Sequence, residues 1–255
     1  MATPVQSASA IAHTTVPANT TLAKSVSAIF SSSNTAGNTI VVLVFLNQSG
    51  AGVGNNSPSV TDTRGNTYTQ GVNHPPGGSN NGAGCWMYYA TGIAAGANTV
   101  TFGFNAEGGF VASNFEYSVA VTEYSGMPSP TLQASANVSI FGSAGNSPSV
   151  LTITDSHGAS VSVTIQSPGP PGADGIGTIN TGALLVDFLS GTTDYLIAGA
   201  LANFNTLLLP TTAGGYATFT QETLASDATN SYYGYYWDGP HEIPNTAQPQ
   251  IFVVT

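Results

Sequence analysis

Two carboxylates, Glu116 and Glu123, stand seven residues apart on one strand-like segment. A pair of acids flanking a sugar–sugar bond is the machinery of a glycoside hydrolase. Side chains on a regular strand alternate between faces, so an odd separation puts these two on opposite sides. They cannot flank one bond. The histidines His13, His74, His157 and His241 have no neighbour at metal-ligand spacing, and His241-Glu242 lacks the second His of a zinc-protease helix, which Pro244 would in any case break. No Gly-x-Ser-x-Gly elbow occurs, and no Gly-rich phosphate loop in a strand–helix setting. Asp62, Asp155, Asp174 and Asp238 fall in loop-like stretches, but none gathers the ligands of a calcium-binding EF-hand loop. The expectation is a chain with no catalytic set, no cofactor and no resident metal.

The aromatic run Tyr232-Tyr233-Gly234-Tyr235-Tyr236-Trp237 is the most suggestive local feature. Read as a strand, it places Tyr233, Tyr235 and Trp237 on one face and Tyr232 and Tyr236 on the other. One face belongs to a core. The other either packs against residues 128–180 or offers a platform to a sugar ring or a protein neighbour. These five residues are the candidate binding or subunit-contact site.

What positions such residues has to be built almost without charge. Lys24 and Arg64 are the only basic residues among 255, against twelve acids, and charged side chains make up 5% of the chain where about 25% is usual. Two cations cannot form a phosphate-binding surface, which excludes nucleic acid as a main partner. The same shortage argues against an anionic membrane, and no segment reaches the apolar length of a membrane-spanning helix. One cysteine, Cys85, excludes an internal disulfide and reads as a small buried hydrophobe. Met1-Ala2-Thr3-Pro4 lacks the basic and apolar stretches of a signal peptide. That leaves two expectations: a protein made without export, or a mature form placed behind a new Met.

The grammar is β throughout. Val100, Phe102 and Phe104 alternate with Thr99, Thr101 and Gly103, and Val161, Val163 and Ile165 with Ser162 and Thr164. This period of two puts one row in a core and the other in water. Ile40 to Leu46 has no polar face and predicts a central strand covered on both sides. Tyr195 to Leu209, rich in Ala and Leu, lacks helix start and stop signals and reads as strand or loop. Thr61-Asp62-Thr63-Arg64-Gly65-Asn66-Thr67-Tyr68 carries an Asp-x-x-Gly step that Thr154-Asp155-Ser156-His157-Gly158 repeats. Asp at the first turn position accepts a backbone N–H and Gly tolerates positive φ, so both predict hairpins. Gly169, Gly172 and Gly175 imitate collagen before Gly177 breaks the period, which predicts an extended Pro-Gly linker or a short contact about a three-fold axis.

Several of these pieces, in this order, carry a likeness. They are Thr39–Leu46, Val60-Thr61-Asp62-Thr63-Arg64-Gly65-Asn66-Thr67-Tyr68-Thr69, Trp86-Met87-Tyr88-Tyr89-Ala90, Gly96-Ala97-Asn98-Thr99-Val100-Thr101-Phe102, Val121-Thr122-Glu123-Tyr124-Ser125-Gly126 and Gly182-Ala183-Leu184-Leu185-Val186. Residues 1–127 and 181–255 resemble Ser/Thr-rich, jelly-roll-like β-sandwich modules of bacterial extracellular proteins and phage virion proteins. The resemblance implies an all-β, antiparallel sandwich or jelly roll over those two stretches. Residues 128–180 read as an insertion holding one hairpin and the Pro-Gly segment. Three functional readings follow. The first is a non-enzymatic protein on the outside of a phage virion, a capsid decoration or tail component, whose partners are copies of itself and other virion proteins. The second is a secreted carbohydrate-binding or adhesive module that meets a polysaccharide. The third is a glycoside hydrolase.

Overall fold

The computed structural model describes the backbone of residues 3–49, 58–74, 81–127, 129–141, 149–154, 160–166, 180–190, 193–202, 207–208, 212–213, 217–226, 231–237 and 250–254, and the side chains of most of these up to residue 132. Every regular element among them is a strand. No helix there is long and apolar enough to cross a membrane. The chain is all-β, and it divides into two compact units, residues 4–124 and residues 125–255 together with 1–3.

The first unit holds β1 (Thr3–Val16), β2 (Thr21–Ile29), β3 (Thr39–Ser49), β4 (Ser59–Asp62), β5 (Thr69–His74), β6 (Asn81–Ala90), β7 (Thr99–Glu107) and β8 (Ser113–Ser125). They form a five-stranded sheet in the order β1-β8-β3-β6-β5 and a three-stranded sheet in the order β2-β7-β4. The pairs β3/β6, β3/β8, β2/β7 and β4/β7 are all antiparallel. Strand 1 beside 8, 2 beside 7 and 3 beside 6 is the wrapping of a jelly roll.

The alternation read from β7 decides the packing. Val100, Phe102, Phe104 and Ala106 point into the sandwich, where they meet Ile40, Val42, Val44 and Leu46 of β3, Trp86 and Tyr88 of β6, and Phe115, Tyr117, Val119 and Val121 of β8. Phe104 touches Tyr117 edge-on, with ring centroids 4.9 Å apart, and stacks on Phe102 at 5.3 Å. Such contacts add about 0.5–1.5 kcal/mol each beyond the area they bury. β3 lies at the middle of its sheet. Ile40, Val41, Val42, Leu43, Val44 and Leu46 are each no more than 5% exposed, so the strand without a polar face is covered on both sides as its sequence requires.

One turn departs from the sequence reading. Gly65 has φ of 71° and Asp62 caps the turn as expected. Yet β4 and β5 do not pair with each other: β4 pairs with β7 and β5 with β6. The Asp-x-x-Gly step is therefore a corner between the two sheets rather than a hairpin. Asp62 draws the backbone N–H groups of Arg64 and Asn66 onto one oxygen, which bends the chain off the end of β4.

At one end of the sandwich two loops are clamped. Gly108 N–H donates to Thr20 O and Asn19 N–H donates to Gly109 O, both at 2.8 Å. A Cβ at Gly108 would lie 1.9 Å from Pro17 O, backbone against backbone, whereas one at Gly103 would meet nothing nearer than 3.4 Å. Gly108→Ala is expected to cost about 2–3 kcal/mol, in the range of core overpacking, while Gly103→Ala is expected to be neutral or mildly stabilising because Gly weakens a strand. Urea unfolding of the two variants side by side checks this contrast.

The second unit holds β9 (Thr131–Phe141), β10 (Ser149–Thr154), β11 (Ser160–Gln166), β12 (Asn180–Ser190), β13 (Thr193–Ala202), β14 (Leu207–Leu208), β15 (Thr212–Ala213), β16 (Ala217–Ser226), β17 (Ser231–Trp237) and β18 (Gln250–Val254). A six-stranded sheet runs β15-β16-β17-β13-β12-β9, and a four-stranded one β10-β11-β18-β14. All neighbours are antiparallel except β11 and β18, which are parallel. The hairpin expected in residues 128–180 is β10–β11. The stretch Tyr195 to Leu209 contains most of β13, all of β14 and no helix among its described residues. The Pro-Gly segment and the turn at Asp155-Ser156-His157-Gly158 lie outside the described residues.

Candidate functional site

Two acids become the centres of hydrogen-bond networks, and both networks are structural in kind. Glu123 sits near the end of β8, directly opposite Ile40 of β3 and on the core-facing side. It is fully buried. Its Oε2 accepts from Gln6 Nε2 and Asn34 Nδ2, both at 2.7 Å; its Oε1 accepts from Asn38 Nδ2 at 2.7 Å and from the backbone N–H of Thr35 at 2.8 Å. Gln6 in turn receives the backbone N–H and hydroxyl of Ser32 on its own Oε1. One carboxylate thus ties β1 and the β2–β3 loop to the sheet, through neutral donors alone. Burial pushes the Glu123 carboxyl upward, but the hydrogen bonds from Gln6, Thr35, Asn34 and Asn38 together outweigh it and hold the group below the usual glutamate value.

Asp62 organises the corner after β4. Oδ1 accepts the N–H groups of Arg64 and Asn66 at 3.0 Å each; Oδ2 accepts from Asn66 Nδ2 at 2.7 Å, Tyr68 OH at 2.9 Å and Asn98 Nδ2 at 2.9 Å. Asn66 Oδ1 then accepts the N–H of Ala94, which locks the corner to the β6–β7 connection. Burial raises the Asp62 pKa and the bonds from Asn98, Asn66 and Tyr68 reverse this, leaving it lowered. Tyr68 answers in the opposite sense: burial and the adjacent Asp62 charge push its phenol far up, so it stays a donor.

Glu116 and Glu123 do fall on opposite faces of β8. Glu116 stands opposite Asn47, an odd-numbered position of β3, and its Oε2 lies 3.6 Å from Nδ1 of the exposed His13. The two glutamates therefore do not form a pair across a substrate. No group of three or more His, Cys, Asp or Glu able to hold a metal occurs among the described residues. No family model matches the chain, and no curated protein or solved structure matches it either.

The aromatic run occupies β17, an inner strand of its sheet. Across from Tyr233, Tyr235 and Trp237 the register places Thr223, Gln221 and Phe219 of β16, and across from Tyr233 and Tyr235 it places Ala200 and Ala198 of β13. Tyr232 and Tyr236 stand opposite Leu201 and Ile197. On β16 Tyr232 and Tyr236 are paired with Ala225 and Thr220, so each row has both a large apolar partner and small or polar ones. The donors that serve Glu123, namely Gln6, Asn34 and Asn38, were not foreseeable, because Asn and Gln in so Asn-rich a chain look alike whether they cap a carboxylate or face water.

Proposed function

We propose that this chain is a non-enzymatic structural protein on the outside of a phage virion, a capsid decoration or tail component, which assembles with copies of itself and other virion proteins through neutral β surfaces. The observation that carries this reading is the outward face of the three-stranded sheet. Ser25 and Ser27 of β2, Thr101 of β7 and Ser59 and Thr61 of β4 form adjacent cross-strand rows there, with Ile29 at 69% exposure on the same face. Ser27 and Thr101 hydroxyls are 2.8 Å apart. A surface of that kind associates by apolar contact and neutral hydrogen bonds, with little ionic contribution. The jelly-roll wrapping and the sealing of Glu123 and Asp62 by neutral donors support the same reading, since acids held in this way do not serve as general acids or bases. Sedimentation equilibrium at low and high salt tests it. A closed symmetric oligomer, indifferent to salt, is the expected result; a monomer at every concentration overturns it.

A secreted carbohydrate-binding or adhesive module is the second reading. It is favoured by the row Tyr233, Tyr235 and Trp237, whose cross-strand partners are Ala198, Ala200, Phe219, Gln221 and Thr223. Retardation in polysaccharide-containing gels that Trp237→Ala and Tyr235→Ala abolish would establish this reading.

A further inference from the structure

Among the described residues β2 pairs with β7 alone and stands at the end of its sheet. The opposite end, β4, is four residues long, while β2 runs for nine without a bulge. A long, regular edge presents a row of backbone donors and acceptors to any passing strand, and the strand best matched in sequence is its own copy. From Thr21 to Ile29 the only charge is Lys24. Val26 and Ala28 are buried in the core, and Lys24 shares their parity, with the buried Phe104 directly across from it. One of the chain's two cations therefore stands at a core-facing position of an edge strand, where an apolar side chain would continue the row.

We propose that β2 is a pairing edge for a second copy of this chain and that Lys24 keeps it closed. Two β2 strands laid antiparallel match all nine residues when centred on Ser25, so that Lys24 faces Val26 of the second copy. The two lysines are then diagonal neighbours on one face, roughly 7–8 Å apart. Both ammonium groups lose water there, and β2 contains no acid to compensate. Centring the pair on Lys24 itself brings the lysines directly opposite each other, about 4.5–5.5 Å apart at Cβ. Centring it on Val26 separates them, but gives up two of the matched pairs and still places each ammonium group on the core-facing side. A positive charge at this one position is thus unfavourable in every register with extensive pairing. This inference does not depend on the function proposed above, because it compares variants with the wild-type protein at whatever mass that protein adopts.

The test is Lys24→Thr, followed by light scattering and by amide hydrogen exchange. Removing the charge is expected to give about twice the wild-type mass, as two-fold pairing requires, with new protection confined to residues 21–29. Lys24→Gln keeps the side-chain length and gives the same result should the threonine variant fail to fold. Lys24→Arg and Lys24→Glu retain like charges and are expected to keep the wild-type mass. The proposal is overturned if both neutral variants keep that mass up to their solubility limit, if Lys24→Glu associates as they do, or if the new protection lies outside residues 21–29.

Discussion

Glu123→Ala is expected to destabilise the first unit by about 3–5 kcal/mol, because it leaves several buried neutral donors without their charged acceptor. Four donors, from Gln6, Asn34, Thr35 and Asn38, lose their acceptor at once, and each unsatisfied buried group costs about 1–3 kcal/mol before relaxation. Glu123→Gln preserves the shape but offers one acceptor oxygen and turns an amide N–H toward donors, so it is expected to recover less than half of the loss. Chemical unfolding followed through the fluorescence of the buried Trp86, in a Trp237→Phe background, reports on this unit. The effect also has a pH signature. The folded carboxyl titrates below the ordinary glutamate value, so as pH falls the unfolded chain takes up its proton first, near about 4.3. The contribution of Glu123 is whole above that range and is lost as pH drops through the folded value. Stability of the wild-type protein should fall steeply on the acid side, and the alanine variant should show a flatter limb. An equal acid slope in both proteins would remove Glu123 from the account.

Asp62→Ala is expected to cost about 2–4 kcal/mol, since five donors converge on its two oxygens and hydrogen bonds to a charged acceptor contribute about 1.5–3 kcal/mol each when isolated. The loss is smaller than a simple sum because the corner is partly exposed and water replaces some partners. Its most direct readout is proteolytic. Trypsin has two sites in this chain, after Lys24 and Arg64, and Arg64 lies in the corner that Asp62 holds. The folded wild-type protein should survive, while the alanine variant should be nicked after Arg64 well before it unfolds globally. Rapid cleavage of the wild-type chain at Arg64 would show that the Asp62 network does not hold the corner. Asp62 shares the acid dependence of Glu123, because its folded pKa is likewise lowered.

The fold class could be read from the chain because period-two alternation needs no partner to be recognised. Val100 to Phe104 and the all-apolar Ile40 to Leu46 each declared how many of their faces would be covered. The turn chemistry of Asp62 and Gly65 was equally legible, since capping and positive φ are local requirements. What that turn joins was not. Whether β5 lies beside β4 or β6 depends on contacts with strands far along the chain, and residues 61–68 hold no record of them. Glu116 and Glu123 could be separated by parity alone, but that Glu123 would be sealed by Gln6, Asn34 and Asn38 required the β2–β3 loop to be in place. The aromatic run is a strand, as its alternation predicts. The partners of each aromatic residue come from register with β13 and β16, which the sequence of β17 does not contain.

β1 runs antiparallel to β8, since Gln6, Ser7 and Thr15 bond to Glu123, Thr122 and Asn114 in turn, and this has a mechanical consequence. The chain enters the first unit along β1 and leaves it along β8, so both ends emerge at the same edge of the five-stranded sheet. A force applied between them acts across the ladder rather than along it. Its rungs then open one at a time from the Gln6–Glu123 end, like a zipper, instead of failing together in shear. A unit joined in this way is expected to yield at lower tension than one whose ends pull along the strands.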